Sequence, residues 1–286
     1  MKVLKFGGSS VAHSKNIKQV LKIVAKTATK EHVIVVVSAF GKTTNALLEI
    51  AKLSLTDVHT AQEKLTEIEE NHIQIIEELI PLENEEIKTE IGNLFQMVSS
   101  YLDGISILQE LSDKTLAKIG SFGEVLSSKI IAKAASLTLD ADFADSKQLI
   151  KTDENFLNGQ VDFDLSNKNI IDFFASNPHQ IAVLGGFIAS NTKGETTNLG
   201  RGGSDYSAAI YAAALDADEL QIWTDVSGMY TANPSLVKQA YPIAKISYEE
   251  AMELSHFGAK VLYPPTIQPS LKKSIPIRIK NTFQPE

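Results

Sequence analysis

Two glycine-rich segments carry the residues that are best suited to binding an anion. In the first, Lys5 lies on a predicted strand, Gly7 and Gly8 follow it, and a helical pattern comes next. Glycine lets the backbone approach a ligand closely, a helix N-terminus presents unpaired N–H groups, and lysine adds a fixed positive charge. The same residues also suit a tight turn beside a surface lysine. At this point the sequence leaves both interpretations open.

The second segment, residues 200–205, places Arg201 between two glycines and ahead of another helical pattern. Ser204 or Asp205 could simply cap that helix, since both residue types accept hydrogen bonds from its first N–H groups. Capping does not account for an arginine among glycines. A guanidinium group binds a carboxylate or a phosphate through two parallel hydrogen bonds, so we favour an anion site here.

Two further segments place polar residues beside the ends of predicted elements. Thr224 and Asp225 follow a strand, and ligands of open α/β sheets bind at the carboxyl ends of the strands. Gly258 and Lys260 follow a helix, where a plain helix terminator with a compensating cation is the simpler interpretation. Val36 stands where a Walker A loop would need glycine, and no Gly-x-Gly-x-x-Gly pattern follows the first strand. A P-loop is therefore excluded, and a dinucleotide-binding fold is disfavoured.

The hydrophobic pattern predicts an α/β fold with a mostly parallel central sheet and helices on both faces. Short β-branched runs predict strands at residues 3–6, 33–38, 181–184, 220–223 and 275–279. Apolar residues at helical spacing follow at 17–24 and 206–213, and Ser247 with Glu250 forms a capping box that opens another helix. Residues 53–118 predict a helical insertion, whose charges are either a solvated face or part of a substrate-selecting lid.

Composition excludes several classes of protein. The chain has 286 residues, of which 43% are apolar, no cysteine and a formal net charge of −8. It can bury a sizeable core without disulfides or thiolate metal sites, and its acidic balance argues against a nucleic-acid partner. No apolar run is long enough to span a membrane, and Lys5 with the following glycines interrupts the N-terminal stretch too early for a signal peptide. We expect a mature cytoplasmic protein.

Taken together and in order, these segments resemble the aspartokinases of the amino-acid kinase family. The resemblance spans nearly the whole chain and rests on residues 5–12 (KFGGSSVA), 121–124 (SFGE), 199–206 (LGRGGSDY), 223–225 (WTD) and 257–262 (FGAKVL). It implies one kinase domain over residues 1–286, which uses ATP and Mg²⁺ to phosphorylate the β-carboxylate of L-aspartate. The products would be 4-phospho-L-aspartate and ADP, in the first step towards lysine, threonine and methionine.

The resemblance also implies a role for each matching residue. The catalytic residues would be Lys5 and Asp205, with Asp205 organising Lys5. Aspartate would lie in a pocket formed by Ser38, Thr44, Glu124, Phe187, Arg201 and Ser204. The nucleotide would contact Lys5, Gly7, Gly8, Ser9, Thr224, Asp225, Tyr230 and Lys260. No residue is implied as a metal ligand, because Mg²⁺ is usually held by phosphate oxygens and water.

The chemistry of aspartate is consistent with these roles. Its α-carboxylate and α-ammonium groups need one cation and one anion, and Arg201 with Glu124 is such a pair. Its β-carboxylate, with a free-peptide pKa of about 3.9, is already ionised at neutral pH and needs no general base. Catalysis then depends on holding two anions together and neutralising charge on the γ-phosphoryl oxygens, for which Lys5 and the metal are suited.

Alternatives from other classes remain at this level. A kinase of the same fold could use glutamate, acetylglutamate or a nucleoside monophosphate, although Glu124 with Arg201 favours an amino acid. A non-catalytic nucleotide-binding subunit is disfavoured by the intact Lys5, Arg201 and Asp205, and a dehydrogenase lacks its glycine fingerprint.

The family resemblance also bears on partners. No regulatory ACT domain is expected within residues 1–286, and the close of the chain is similar to the kinase part of bifunctional members. We therefore expect a catalytic fragment of a longer chain that carries ACT and homoserine dehydrogenase domains, and a homodimer stays open. No membrane or nucleic-acid partner is expected.

A departure from the family pattern generates a first prediction. Asn233 and Ser235 stand where aspartate and arginine are usual, so an arginine expected near the ATP phosphates is missing. We hypothesise that Lys238 substitutes for it. Lys238→Ala should then raise the KM for ATP, because a charge-assisted contact to phosphate is lost. Steady-state kinetics at saturating acceptor measure this value, and an unchanged KM for ATP would contradict the hypothesis.

Overall fold

The computed structural model describes residues 1–233, 236–256 and 263–285. The strands are β1 (Lys2–Phe6), β2 (Val33–Val37), β3 (Ala141–Ala144), β4 (Lys151–Thr152), β5 (Ile181–Gly185), β6 (Ile188–Asn191), β7 (Thr196–Asn198), β8 (Glu219–Thr224) and β9 (Ile277–Asn281). The α-helices are α1 (Ser14–Ala28), α2 (Thr43–Leu53), α3 (Val58–Leu79), α4 (Glu85–Leu108), α5 (Asp113–Ser136), α6 (Ser146–Leu149), α7 (Phe163–Ser176), α8 (Gly203–Ala214), α9 (Tyr248–His256) and α10 (Gln268–Lys272).

Six strands form a parallel central sheet in the order β3-β5-β2-β1-β8-β9, which confirms the predicted fold class. All five predicted strands are present, although β9 begins two residues later than expected. Ser274 has a positive φ of 55°, and Pro276 has no N–H to give to a ladder, so strand pairing starts at Ile277. A second sheet, ordered β4-β6-β7, was not predicted, because its strands are short and partly polar.

Both faces of the central sheet are covered by helices. Leu4 and Phe6 belong to a core with α1 to α5, whereas Val3 belongs to a second core with α7 and α8. Successive residues of a strand point to opposite faces, so a strand buried on both faces is apolar at most of its positions. This requirement explains the continuous β-branched run of β2.

The capping box is present as predicted. The Ser247 N–H donates to Glu250 Oε2 at 2.9 Å, and the Glu250 N–H donates to Ser247 Oγ at 3.2 Å. These reciprocal bonds satisfy N–H groups that the first turn of α9 would otherwise leave unpaired.

The helix-rich stretch forms the pair α3 and α4 and the start of α5. The pair packs into the same core as β1 and β2, through fully or almost fully buried residues such as Leu65, Ile76, Phe95 and Leu102. Its charged side chains lie mostly on the outer faces. None of the helices in the described part of the chain is long and apolar enough to cross a membrane.

Candidate active site

The carboxyl ends of four neighbouring strands meet at one edge of the central sheet. β1 and β2 pair in register up to Phe6 and Val37, Phe6 also pairs with Trp223 of β8, and Val37 pairs with Gly185 of β5. The residues that immediately follow these strands are Gly7, Ser38, Gly186 and Asp225. Parallel register therefore places segments far apart in the sequence along a single rim.

A buried ion pair lies at this rim. Lys5 Nζ is 2.7 Å from Asp205 Oδ1, and both side chains are more than four-fifths buried. Lys5 comes from the penultimate position of β1, and Asp205 comes from the first turn of α8. A carboxylate is favourable at a helix N-terminus, so Asp205 can anchor the lysine without leaving its own charge uncompensated. The structure thus brings the two predicted catalytic residues together.

The glycine loop after β1 is held by close backbone contacts. A Cβ atom on Gly8 would lie 2.6 Å from the Gly41 carbonyl oxygen, so only glycine fits without a shift of the backbone. The Gly41 N–H donates to the Gly8 carbonyl at 3.1 Å, and the Gly7 N–H donates to the Trp223 carbonyl at 3.0 Å. Gly7 lies beside Lys5, since a Cβ atom added at Gly7 would be 3.6 Å from Lys5 Nζ.

The sequence prediction of an α-helix directly after this loop was wrong in detail. A short 3₁₀ turn covers Gly8–Val11, and α1 begins only at Ser14. The buried hydroxyl of Ser10 holds the turn through a 2.7 Å hydrogen bond to Thr282 Oγ1. The exposed Ser9 lies on this turn, where its carbonyl accepts from Asn16 Nδ2 at 2.9 Å. The N-terminal N–H groups of α1 are therefore displaced along the chain from the glycines.

A second cluster joins α2 and α5 beside the rim. Thr44 Oγ1 donates to Glu124 Oε2 at 2.9 Å, although the two residues are 80 positions apart. The backbone N–H of Ala39 also bonds to the Glu124 carboxylate. Gly123 permits this closeness, since a Cβ atom there would lie 2.5 Å from Thr44 Oγ1. Ser38 precedes this contact, and its carbonyl accepts from Ser127 Oγ on α5 at 2.9 Å.

The carboxyl group of Glu124 has an unusual protonation equilibrium. Burial raises its pKa to about 7, and the hydrogen bonds from Thr44 and Ala39 and the positive charge of Lys5 only partly oppose this effect. Near neutral pH this carboxyl group is therefore partly protonated. A bound ammonium group would favour the ionised carboxylate.

The end of β5 lies directly against the N-terminus of α8. A Cβ atom on Gly186 would lie 2.6 Å from Ser204 Cβ, so glycine is required at this contact. Phe187 follows with a φ of 66°, a region that is unfavourable for an aromatic residue. Its N–H donates to Ser207 Oγ at 3.0 Å, and its carbonyl accepts from the Leu199 N–H at 2.9 Å, which holds the backbone in place.

Arg201 is the exposed member of the predicted acceptor pocket. It lies between Gly200 and Gly202, whose φ values of 69° and 72° are in the left-handed region. Its guanidinium carbon is 5.3 Å from the centre of the Tyr263 ring. Glycine on both sides lets the loop present this side chain to solvent, where it can reach an anion.

The predicted nucleotide residues lie at the other end of the rim. Thr224 Oγ1 donates to Asp225 Oδ1 at 3.1 Å, and the Asp225 carbonyl accepts from Asn281 Nδ2 at 3.2 Å. Tyr230 forms a backbone bridge with Pro242, next to a cavity of about 980 Å³ that β9 and residues 227–229 and 242–248 line. Lys260 and its whole motif, residues 257–262, lie outside the described residues, as does Ser235.

The sequence did not reveal three contributors to this rim. Ala39 and Gly41 act through backbone groups, and Gly186 acts by the absence of a side chain. The glycine pair at 185–186, directly after a predicted strand, was the one available signal for a close approach.

Comparisons with known proteins identify the family and the fold of this chain. Residues 1–281 match the amino acid kinase family. The chain is 38% identical to a bifunctional aspartokinase/homoserine dehydrogenase of Buchnera aphidicola, covering 99% of this chain and 35% of that protein. It is 36% identical to an aspartokinase of Chlamydia pneumoniae, covering 99% of this chain and 61% of that protein. The structure of E. coli aspartokinase III in complex with aspartate and ADP superposes with a TM-score of 0.91 at 32% identity, covering 100% of this chain and 63% of that one.

The raised pKa of Glu124 generates a prediction about stability. The folded-state pKa of about 7 exceeds the ordinary value of 4.5, so the stabilisation is complete below pH 4.5 and is lost as pH rises through 7. The ligand-free protein should therefore lose about 3 kcal/mol across this range relative to Glu124→Gln, which stays neutral. Urea unfolding of both proteins from pH 5 to pH 8 measures the difference, and two parallel stability curves would contradict it.

Proposed function

Because the chain belongs to the amino acid kinase family, we propose that it transfers the γ-phosphoryl group of ATP to the side-chain carboxylate of L-aspartate. The chain spans about one third to three fifths of the length of the curated relatives it matches, so this activity is proposed for the catalytic part of a longer protein. The ADP and aspartate held by the E. coli relative support both substrates.

One arrangement supports this activity above all. The Lys5–Asp205 pair and the Thr44–Glu124 cluster flank the same glycine loop, so a group that binds phosphate and a group that binds ammonium would lie side by side. A nucleoside monophosphate has no ammonium group to offer Glu124, and this favours an amino acid as the acceptor.

The transfer needs positioning and charge neutralisation rather than a base. An oxygen of the β-carboxylate attacks the γ-phosphorus, a new O–P bond forms, and the bond to ADP breaks with its electron pair going to ADP. The acceptor is already ionised, with a pKa of about 3.9 for a free carboxyl group, so no proton moves first. Lys5 would stabilise the charge on the phosphoryl oxygens, and Asp205 would hold the lysine in its orientation.

The acceptor pocket would be divided by charge. Glu124 would bind the α-ammonium group, and Arg201 would bind the α-carboxylate. The remaining pocket residues would limit the length of the side chain that can reach the phosphate, namely Ser38, Thr44, Phe187 and Ser204.

The nucleotide would extend from the glycine loop towards the cavity beside β9. Gly7, Gly8 and Ser9 would approach the phosphates, while Thr224, Asp225 and Tyr230 would contact the nucleoside, with Lys260 as a further predicted contact. Mg²⁺ would be held mainly by ATP oxygens and water, because it seldom receives a cage made only of protein ligands. When bound, Mg²⁺ would neutralise charge on the β- and γ-phosphates.

A hydroxamate assay tests the activity directly. Incubation with ATP, Mg²⁺, L-aspartate and hydroxylamine should yield aspartyl hydroxamate, because hydroxylamine traps the acyl phosphate. A coupled ADP-release assay then compares aspartate with glutamate, acetylglutamate and UMP. A preference for UMP would point to a different kinase of this fold, and no turnover with any acceptor would support a non-catalytic subunit.

Lys5 provides a sharper prediction. Lys5→Ala should lower kcat by roughly 10²–10³, the scale expected for one preorganised electrostatic contact in a transition state. Lys2→Ala is a matched control, since Lys2 lies at the other end of the same strand. Its Nζ is 3.0 Å from Glu31 Oε1, and this pair lies away from the rim. Thermal unfolding verifies that both variants are folded. Near-full turnover by Lys5→Ala would show that the lysine has no catalytic role.

A further inference from the structure

A buried histidine lies beneath the rim on a helix outside the predicted site. His72 belongs to α3, is fully buried, and has a ring centre 5.1 Å from that of Phe40, with an angle of 29° between the planes. Phe95 of α4 contacts the same imidazole edge-on at 5.4 Å. The ring of His72 therefore lies between α4 and the segment that follows β2.

One ring nitrogen of His72 forms a hydrogen bond that fixes the orientation of the ring, and the other nitrogen is buried without a partner among the described residues. Nδ1 lies 2.8 Å from the Ile68 carbonyl, so it must carry the proton and donate. Nε2 is then an acceptor, and in the described part of the chain it has no hydrogen-bond partner. Burial lowers the pKa of His72 to about 4, so the ring stays neutral. An apolar residue of similar size would avoid the unpaired nitrogen, and a role in packing alone does not explain a histidine here.

Residues 39–41, which we call the bridge turn, connect His72 to both halves of the site. The Ala39 N–H bonds to the Glu124 carboxylate, and the Gly41 N–H donates to the Gly8 carbonyl at 3.1 Å. Phe40 lies between them, and its side chain is 2% exposed. The only ring that stacks on Phe40 among the described residues is that of His72.

We propose that His72 is a positioning residue, whose flat ring holds Phe40 and thereby fixes the bridge turn between the acceptor pocket and the glycine loop. The role in kinetics rests on the proposed function. The role in ordering the bridge turn does not, since the contacts involved join residues of the chain itself. The α3–α4 pair then acts on the site from behind the rim, through one aromatic stack.

Three variants test the proposal. His72→Leu removes the flat aromatic face together with the unpaired nitrogen, at similar volume. His72→Phe keeps an aromatic face against Phe40. Leu65→Ala is the matched control, because it truncates a buried residue of the same helix seven residues away, about 10 Å along the axis.

The kinetic measurement separates positioning from general destabilisation. His72→Leu should raise the KM for the amino-acid acceptor and the KM for ATP about 5-fold each, because the bridge turn contacts Glu124 through Ala39 and the glycine loop through Gly41. His72→Phe should restore the acceptor KM to within about 2-fold of wild type. Leu65→Ala should lower the melting temperature without changing either KM. Equal shifts in KM for His72→Leu and Leu65→Ala would overturn the proposal.

A second measurement needs no catalysis. Amide hydrogen exchange of Ala39 and Gly41 in the ligand-free protein, followed by NMR, should be about tenfold faster in His72→Leu than in wild type and unchanged in Leu65→Ala. Unchanged exchange at both amides would overturn the proposal even if the protein is an active kinase. Faster exchange would support it even if L-aspartate proves not to be the acceptor.

Discussion

A lysine charge buried at the end of a parallel strand is the constraint on which the rest of this structure depends. Removing an ammonium group from water costs on the order of several kcal/mol, and only a close opposite charge offsets this cost. Asp205 is that partner, at 2.7 Å, and its position in the first turn of α8 fixes how that helix meets β1. The pair therefore determines where positive charge is available at the rim of an acidic protein with a net charge of −8.

Around this pair, the site is assembled largely from backbone groups. Gly8, Gly123 and Gly186 each lie where a Cβ atom would overlap a neighbouring segment, at 2.6, 2.5 and 2.6 Å respectively. Their small size lets separate elements approach until N–H groups and carbonyls can bond across them. The consequence is a rigid rim, in which the glycine loop, α5 and α8 are brought together by close packing at glycines.

The α3–α4 pair belongs to this rigid frame. Its apolar faces extend the core beneath β1 and β2, and its polar faces account for most of the charge in the helix-rich stretch. The contact between His72 and Phe40 gives it a path to the rim. The sequence predicts this helical segment as an insertion with a solvated face or as part of a lid. In the structure it contacts the segment that carries Ala39 and Gly41.

By itself, the sequence determined the features that depend on local pattern. Runs that are mostly apolar specify β1, β2, β5 and β8, because a strand buried on both faces is apolar at most of its positions. The Ser247–Glu250 box specifies the start of α9. The ordered motifs around Lys5 and Arg201 indicated the family. The association of Lys5 with Asp205 and of Thr44 with Glu124 was implied by the family resemblance, and the structure gives their contact distances. Tertiary structure alone decided the contact of His72 with Phe40. It also decided the 3₁₀ turn, because backbone hydrogen bonds cannot be recognised from residue types. The small second sheet depends on tertiary structure too, because its short polar strands are stabilised by neighbours that are distant in the sequence.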